Sequence, residues 1–479
     1  MKLKFAKFKI LVLAMFLSAV ALQAEDALAQ ACTHYASPSG TGIGTSPNNP
    51  FKIANFWPLA KPGYTLCLLD GQYTGAASMI RPPQNLRGTA SARITIKALN
   101  DGKVTLNGQY LNEPVKLYNN DYFVLEGFNA HSSKVSVVHM YASHNNIVRR
   151  VAGWDAADGN TNIFGVHGST NNLLEDVAGW GIARKIFSFS QGGNKTTVRR
   201  AWGRWEGSHV VGPKMTFTLA YNNYHIICEN CIGTWSGERM ERTHTLLNYS
   251  GTAWTGAGAG TYTDYEVNQA YGIFAIDRNT SDKNINTKLL GSIAYVQAKD
   301  RFHPNSAVLI SKLDSVEVAN TVVYVEPGSH ATKKTFILSG LPTSLGGPAQ
   351  NLTARNLTGV GGAGAYIDSE WQGENRVQGA NIGSVPSIFG APGNGARVCY
   401  RYKNGVLTNE ALWPWPMNQR ILEATTKSGH TPVNVTATIE KLFGSIPASC
   451  KGGSSGTSSN PTAGVLPPSA PISLQTNYQ

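Results

Sequence analysis

A short sequence pattern recurs through the middle of the chain, and it limits the possible folds more than any other feature. Its clear copies begin at Asn145, Asn171, Asn194 and Tyr224, separated by 26, 23 and 30 residues. Each copy has a polar turn, a short strand with alternating apolar residues, a polar pair and a second strand. One unit cannot bury its apolar face alone, whereas stacked units bury a continuous core. The pattern therefore predicts a parallel β-solenoid with asparagines stacked at its turns.

Two other repeat architectures fit the sequence less well. Leucine-rich repeats have a similar period but need fixed leucine spacings, and a propeller blade needs roughly forty residues. The 50 glycines and the low charged fraction of 15% favour short strands and many turns over helical bundles.

The beginning of the chain adds a resemblance to this pattern. Residues 35–51 are rich in Gly, Ser and Pro, and short apolar strands with turns follow at 61–73, 93–99 and 103–108. This stretch resembles the opening of secreted bacterial right-handed β-helix proteins, including pectate-lyase-like polysaccharide lyases. With the repeats, the resemblance covers about residues 33–360. It implies an all-β, single-stranded right-handed parallel β-helix with an N-terminal helical cap, for which residues 51–59 are the candidate, and a C-terminal cap segment.

The sequence is accordingly divided into five segments. They are a signal peptide (1–31), an N-terminal cap with the first rungs (32–110), the parallel β-helix (111–394), a disulfide-stapled C-terminal cap (395–451) and a disordered tail (452–479). Within the C-terminal cap, residues 418–426 and 435–443 are short helix candidates. Trp413 and Trp415 could form a platform for a sugar, but a pair locked between prolines is more typical of packing against the flank of a solenoid.

The first 31 residues are typical of an export signal. Four lysines precede an apolar stretch that is too short for a membrane span, and Ala29-Gln30-Ala31 fits a signal peptidase site. Cys32 opens a lipoprotein alternative, which is weaker because Ala29 and Gln30 do not match the lipid-attachment pattern. We expect a secreted or periplasmic protein with no membrane span.

Six cysteines follow the signal, and an even count in an exported protein predicts disulfides. The pairing with the shortest loops is Cys32–Cys67, Cys228–Cys231 and Cys399–Cys450, although sequence alone does not fix it. The Cys228–Cys231 motif has no thioredoxin-like or zinc-binding context, so a structural bridge or two buried thiols is favoured over a redox or metal site.

The formal net charge of +12 indicates an anionic partner. Export makes an acidic polysaccharide a better candidate than nucleic acid. Residues 175–244 resemble the central rungs of uncharacterised β-helix proteins encoded with exopolysaccharide genes. Outward residues at equivalent positions of successive rungs lie about 4.8 Å apart, so arginines and aromatic rings there can line up along a glycan. The substrate-binding candidates are Arg184, Arg204, Trp180, Trp205, Trp235, Arg242 and His244.

A reaction on such a glycan is expected to be β-elimination at a uronic acid. This chemistry needs a cation on the carboxylate, a base for the α-proton and an acid for the leaving oxygen. Related metal-independent β-helix lyases use a Lys–Arg pair, which the resemblance implies here. The catalytic candidates are Lys185, Lys214, Arg200, Arg239, His209 and Tyr221.

Other functions remain open at this stage. Uronate C5-epimerisation shares the first step of the lyase reaction, whereas hydrolysis lacks a suitable pair of carboxylates. We expect no cofactor. Calcium is possible, but no cluster of carboxylates in the sequence supports it. The main alternative is a non-catalytic glycan-binding or matrix protein, and the oligomeric state is not encoded in any motif.

Overall fold

Three long parallel sheets wind around one core in the computed structural model of this protein. The structure describes residues 31–219, 222–241, 243–256, 259–263, 270–277, 286–297, 304–327, 334–341, 344, 347–349, 351–372, 377–378, 381–382, 388–389 and 398–452. Most turns of the coil, or rungs, contribute one strand to each sheet, which confirms the all-β parallel β-helix expected from the repeats. We name the sheets A, B and C.

Sheet A contains the strands His34–Ala36, Thr65–Leu68, Ile94–Ala98, Phe123–Glu126, Ile147–Arg149, Leu173–Glu175, Thr197–Arg199, Ile227–Glu229, Thr287–Leu290, Ser315–Ala319, Asn351–Arg355 and Val377–Gln378. Sheet B contains Gly71–Thr74, Val104–Asn107, Asn129–Ser133, Ala152–Ala156, Ala178–Ile182, Trp202–Gly207, Ile232–Trp235, Ile293–Val296, Val322–Val325, Thr358–Val360 and Asn381–Ile382. Sheet C contains Val115–Tyr118, Val138–Tyr141, Asn162–His167, Lys185–Ser190, Lys214–Leu219, Ala270–Asp277, Ser306–Ser311, Lys334–Leu338 and Tyr366–Ile367.

A single residue in the left-handed backbone conformation turns the chain from sheet A into sheet B in many rungs. Arg150, Asp176, Arg200 and Asn230 hold this position in four successive rungs, with φ of 52°, 52°, 49° and 51°. Asparagine and aspartate tolerate this region better than other non-glycine residues. The corner is therefore tight, and it sets sheet B at an angle to sheet A.

Stacked side chains of like kind fill the inside of the coil. Phe164, Phe187, Phe217 and Phe274 form one column along sheet C, with ring centroids 4.8, 4.6 and 4.9 Å apart. Equivalent residues of adjacent rungs lie one strand spacing apart, so rings at the same register stack face to face. This column fixes the register of sheet C.

A polar ladder closes the corner between sheets C and A. The side-chain oxygen of Asn146 accepts from the backbone N–H of Phe123 at 2.8 Å, and that of Asn172 accepts from Asn146 at 2.9 Å. Ser143 and Ser169 repeat the arrangement, since the N–H of Ser143 donates to the Ser169 hydroxyl at 3.0 Å. Buried backbone donors at the corner are thus satisfied from rung to rung, as the asparagine-rich repeats predict.

The first rung is held by a disulfide and a short helical turn. Cys32 and Cys67 are bonded, and a 3-10 turn at Ile53–Phe56 buries both of its end residues. A further 3-10 turn lies at Ala76–Ser78. The turn at Ile53–Phe56 falls within the predicted segment 51–59, and its role as an end cap stays a prediction.

Residues 398–452, which we call the strap, run back along the outer face of sheet B. The strap contains the antiparallel hairpin Tyr400–Lys403 and Val406–Ala411, the helices Asn418–Lys427 and Val435–Phe443, and a 3-10 turn at Ala448–Cys450. Both helices match the sequence prediction. The strap covers the flank of the coil, where Trp413 and Trp415 pack at 1% and 2% exposure. Its role as a cap on the end of the coil stays a prediction.

The strap contacts rungs that lie far apart in the coil. At one end the Asn320 amide donates to the Tyr402 hydroxyl at 2.5 Å, and at the other Arg420 pairs with Asp101 at 2.9 Å. The strap therefore reaches along the coil from the rung of Asp101 to the rung of Asn320.

Two small elements lie outside the three sheets and the strap. They are the helix Ser369–Gln372 and the antiparallel pair Thr243–Thr245 and Thr261–Thr263.

All three predicted disulfides are present, Cys32–Cys67, Cys228–Cys231 and Cys399–Cys450. Disulfides persist in oxidising compartments, which indicates an exported protein. A sulfur bonded in a disulfide cannot also carry a lipid, and this argues against the lipoprotein alternative at Cys32. No helix within the described ranges is long and apolar enough to cross a membrane. The predicted signal peptide and tail lie outside the described residues, except for Ala31 and Gly452.

Candidate functional site

A groove follows the outer face of sheet C across several rungs. It consists of two adjoining clefts of about 540 and 770 Å³, which share His139 and Tyr141 in their walls. The smaller cleft extends toward Arg81 and Lys116, and the larger one toward Arg184 and Lys185. The groove is therefore long enough to follow the coil axis, as a chain-like ligand requires.

The strand register places two rows of side chains on the floor of the groove. One row is Tyr118, Tyr141, His167 and Ser190, and the other is Lys116, His139, Gly165 and Ser188. Gly165 leaves a gap in the second row: a Cβ there would lie only 2.9 Å from His167 Nε2 and 3.2 Å from Asn162 Nδ2. The strand is thus concave at this point, and the side chains of Asn162 and His167 converge over it.

Two basic side chains, Arg184 and Lys185, line one end of the groove. Lys185 begins a strand of sheet C and is 4% exposed, while Arg184 is 6% exposed and its guanidinium lies 5.0 Å from the ring centroid of Tyr249. Burial, helped by the charge of Arg184, holds the pKa of Lys185 well below its ordinary value. A lowered pKa favours the neutral amine, which is the form that a general base needs.

Lys214 lies behind Arg184 and Lys185, on the next strand of sheet C, and is fully buried. Burial lowers the pKa of its ammonium to about 7; Arg184 lowers it further, and Asp158 partly opposes the shift. Lys214 therefore titrates close to physiological pH, although it does not line the groove itself.

A His–Asp pair, which does not line the groove, lies near Lys214. His209 Nδ1 lies 2.7 Å from Asp158 Oδ2, and the Ser208 hydroxyl donates to Asp158 Oδ1 at 2.8 Å. Burial raises the pKa of Asp158, but hydrogen bonds from His209 and Ser208 outweigh it and bring the pKa below its ordinary value. The carboxylate thus stays charged and fixes the orientation of the imidazole.

His167 lies in the middle of the floor and is neutral at physiological pH. Burial lowers its pKa to about 3, and the charges of His139, Lys185 and Arg184 act in the same direction. Its Nδ1 lies 2.5 Å from the Ser190 hydroxyl. His139, His167, Arg184 and Lys185 all line the larger cleft.

The other predicted catalytic arginines lie away from this region. Arg200 sits at the corner between sheets A and B and pairs with Asp176 at 2.6 Å and with Glu175 at 2.9 Å. Arg239 pairs with Asp155 below the strap, where it is 38% exposed. Each is engaged with carboxylates of its own, so neither joins Arg184 and Lys185.

The predicted substrate-binding residue Arg204 belongs to an ionic cluster under the strap. Its guanidinium donates to Glu206 at 2.8 Å and to the Thr431 carbonyl at 2.9 Å. His430 of the strap bridges Glu206 at 2.7 Å and Asp155 at 3.2 Å. This cluster binds the strap to the coil, which explains why an arginine on an outward position is only 1% exposed.

The three tryptophans predicted to bind sugar are buried. Trp205 and Trp235 face the inside of the coil and stack at a centroid distance of 4.0 Å. Trp180 faces outward from sheet B but is covered by the strap and stacks on Trp154 at 4.9 Å. None of these rings is open to a ligand, and we leave them out of the groove.

Three predicted residues cannot be placed. Tyr221 and Arg242 lie outside the described residues, and for His244 only the backbone is described. Of the remaining candidates, Arg184, Lys185, Lys214 and His209 come together, and the first two line the groove.

The sequence prediction missed His139, Tyr141 and His167. A signal for the last two was present, because Tyr141, His167 and Ser190 are separated by the same 26 and 23 residues that separate the first three repeats. Extending the repeat spacing upstream of each asparagine would have aligned them in one row.

No group of three or more His, Cys, Asp or Glu side chains in the described ranges is placed to hold a metal ion. The acidic side chains Glu113 and Asp158 both act within pairs, Glu113 with Lys116 and His139, and Asp158 with His209.

Comparisons with known proteins bear on the coil. No family model matches the sequence. No curated protein matches it either. Among solved structures, pectate lyase Pel9A is similar with a TM-score of 0.43 and 15% identity, over 70% of this chain and 78% of that one. An alginate lyase from Paenibacillus sp. has a TM-score of 0.36 and 13% identity, over 69% and 96% of the two chains.

A surface adhesin of Streptococcus pneumoniae, PfbA, has a TM-score of 0.37 and 9% identity, over 69% of this chain and 86% of the adhesin. Identities and scores this low say nothing about a shared activity. The chain is a parallel β-helix protein by its own three sheets, and its coil is similar to those of polysaccharide lyases and of an adhesin.

Proposed function

We propose that this protein is an exported polysaccharide lyase that binds an acidic glycan along the groove of sheet C and cleaves it by β-elimination. The observation that carries the proposal is that Arg184, Lys185 and His167 line the same cleft of an elongated groove. A cation and a low-pKa amine side by side are what the first step of this reaction requires.

Each role follows from the chemistry of the side chain. Arg184 binds the uronate carboxylate and neutralises its charge. Neutralising this charge makes the proton on the neighbouring carbon more acidic. Lys185, whose pKa is lowered by burial, removes that proton. Tyr141 lines the same groove, is 40% exposed and supplies a proton to the leaving oxygen.

The step balances without a further reactant. The base takes the proton from the carbon next to the carboxylate, and those electrons form a carbon–carbon double bond. The glycosidic C–O bond at the following carbon breaks, and its oxygen takes the proton from the acid. One chain becomes two, and one of them ends in an unsaturated uronate.

The test is turnover of a panel of acidic glycans: polygalacturonate, alginate, hyaluronan and gellan. We expect at least one to give the ultraviolet absorbance of an unsaturated uronate. Lys185→Met should lower that rate at least about a hundredfold, because general base catalysis contributes about that much or more. Lys103→Met is the matched control, since Lys103 is an exposed lysine outside the groove.

Two outcomes separate the proposal from its alternatives. Binding without any turnover would favour a glycan-binding protein, for which the near-complete burial of Lys185 and Lys214 is the supporting observation. Exchange of the C5 proton with solvent without absorbance would indicate an epimerase, which shares the first step. If none of the glycans binds, the proposed function is wrong.

A further inference from the structure

We infer that the groove contains a second anionic subsite, built on Arg81, and that it selects a heteropolysaccharide whose acidic sugars are separated by neutral ones. The inference rests on the proposed function and adds the class of substrate. It starts from the distribution of charge along the groove, where cationic side chains stand at the two ends.

The backbone brings Arg81 into the groove by extending sheet C one rung further. Ile80 N–H donates to the Pro114 carbonyl at 2.9 Å, and Lys116 N–H donates to the Ile80 carbonyl at 2.9 Å. Ile80 thus pairs with Val115, and Arg81 is the neighbour of Lys116 in the same register. Arg81 is exposed and lines the smaller cleft.

The charge of Lys116 is already balanced by a partner. Its ammonium contacts Glu113 at 2.8 Å, and the other oxygen of the same carboxylate lies 2.7 Å from His139 Nδ1. Burial raises the pKa of Glu113, but hydrogen bonds from His139 and Lys116 outweigh it and keep the carboxylate charged. At this end of the groove, Arg81 is therefore the cation that a ligand carboxylate can engage.

Between the two ends the floor consists of tyrosine rings and small uncharged residues, together with His139 and His167. Tyr118 and Tyr141 lie with ring centroids 5.3 Å apart, and the row beyond them continues through His167 to Ser190. In the parallel row, His139 is followed by Gly165 and Ser188, which carry no charge. Tyrosine rings and hydroxyls suit the faces and hydroxyl groups of uncharged pyranoses.

The separation of the two cationic ends sets the spacing of the acidic sugars. Lys116 and Lys185 lie on strands three rungs apart, and Arg81 lies one rung further. At the usual spacing of neighbouring strands this is on the order of 15–20 Å, which about three to four pyranose units can span. A polymer with an acidic sugar at each end of such a stretch places both carboxylates on arginines.

The experiment compares fragments of gellan, which carries one glucuronate in each four-sugar repeat, by calorimetric titration of the full-length protein. Two fragments are used, one with a single glucuronate and one with two. We expect Arg81→Ala to weaken binding of the two-glucuronate fragment at least about fivefold, the loss of one exposed charge-assisted contact. Binding of the single-glucuronate fragment should change less than about twofold.

Arg87→Ala is the matched control, because Arg87 is an exposed arginine six residues away that pairs with Asp121 outside the groove. An equal loss with both fragments, or no loss with either, overturns the second subsite. Tighter binding of oligogalacturonate of the same length than of the two-glucuronate fragment overturns the heteropolysaccharide. If no acidic fragment binds the unaltered protein, the proposed function itself fails, and this result differs from the other two.

Discussion

Buried ionisable side chains near the groove decide both its chemistry and its cost in stability. Lys214 is fully buried, and its pKa of about 7 lies well below the ordinary value of 10.5. Between these two values the unfolded chain holds a proton that the folded chain releases. Folding stability contributed by this residue therefore rises as pH increases from about 7 to 10.5.

Lys214→Met should remove this dependence. Relative to the variant, the unaltered protein should gain on the order of 3 kcal/mol between pH 7 and about pH 9.5. The measurement is urea unfolding of both proteins at each pH. Parallel pH profiles of the two proteins would show that Lys214 is not titrating in the folded state.

The sequence gives access to some residues of the site because they follow the repeat. Arg184 and Lys185 follow the strand Ala178–Ile182, and their rung was recognised from its sequence. Arg200 and Arg204 come from an equally clear repeat, yet carboxylates hold both. Strand alternation tells which residues face outward, but whether solvent, a carboxylate or a distant segment meets them depends on contacts from elsewhere in the chain.

At the scale of elements, the strap is the feature that sequence periodicity could not reveal. Its helices were predicted from local pattern, whereas the face they cover was not. Trp154 and Trp180 occupy outward positions of sheet B, as binding residues would, and their burial depends on a segment more than 200 residues later. An outward aromatic row therefore predicts either a ligand or a covering segment.

His430 fastens the strap through its charge. It contacts Glu206 and Asp155, with Arg239 beside both carboxylates, and is 8% exposed. Burial lowers its pKa, but the hydrogen bonds and charges of Asp155 and Glu206 outweigh it and raise the pKa to about 9. A raised pKa means that the stabilisation is complete below about pH 6.5 and is lost as pH rises toward 9.

His430→Asn should abolish that loss. We expect the unaltered protein to be more stable than the variant by on the order of 3 kcal/mol at pH 6, and the difference to disappear by about pH 9.5. Thermal unfolding followed by tryptophan fluorescence measures it, since Trp180 lies 6.2 Å from the His430 ring. A difference independent of pH would mean that His430 acts through packing and not through its charge.

At the scale of the whole molecule, the disulfide Cys399–Cys450 closes the strap into a loop, because the bonded positions are 51 apart in the sequence. By loop entropy alone such a link is worth about 4 kcal/mol. Cys399→Ser with Cys450→Ser should release the strap before the coil and split one unfolding transition into two. Differential scanning calorimetry would show this, and a single unshifted transition would contradict it.

The overall architecture was predictable because a repeated local pattern dictates it. Asn146 and Asn172, one repeat apart, make the same hydrogen bonds, and Phe164 and Phe187 stack at equivalent positions. The position of the groove was not predictable, since it depends on which sheet remains uncovered. Only the folded chain shows that the strap covers sheet B and not sheet C.

A solenoid in which each rung contacts only its neighbours can unfold stepwise, one rung after another, from either end. In this protein Arg420 forms an ion pair with Asp101 near the N-terminal end of the coil, and Asn320 donates a hydrogen bond to Tyr402 near the other end. The strap, which is synthesised last, thus links rungs that come much earlier in the sequence. Unfolding of the rungs at one end must also break contacts of the strap, which is bound at the other end. We therefore expect the protein to resist stepwise proteolysis and to be digested only when the whole coil unfolds.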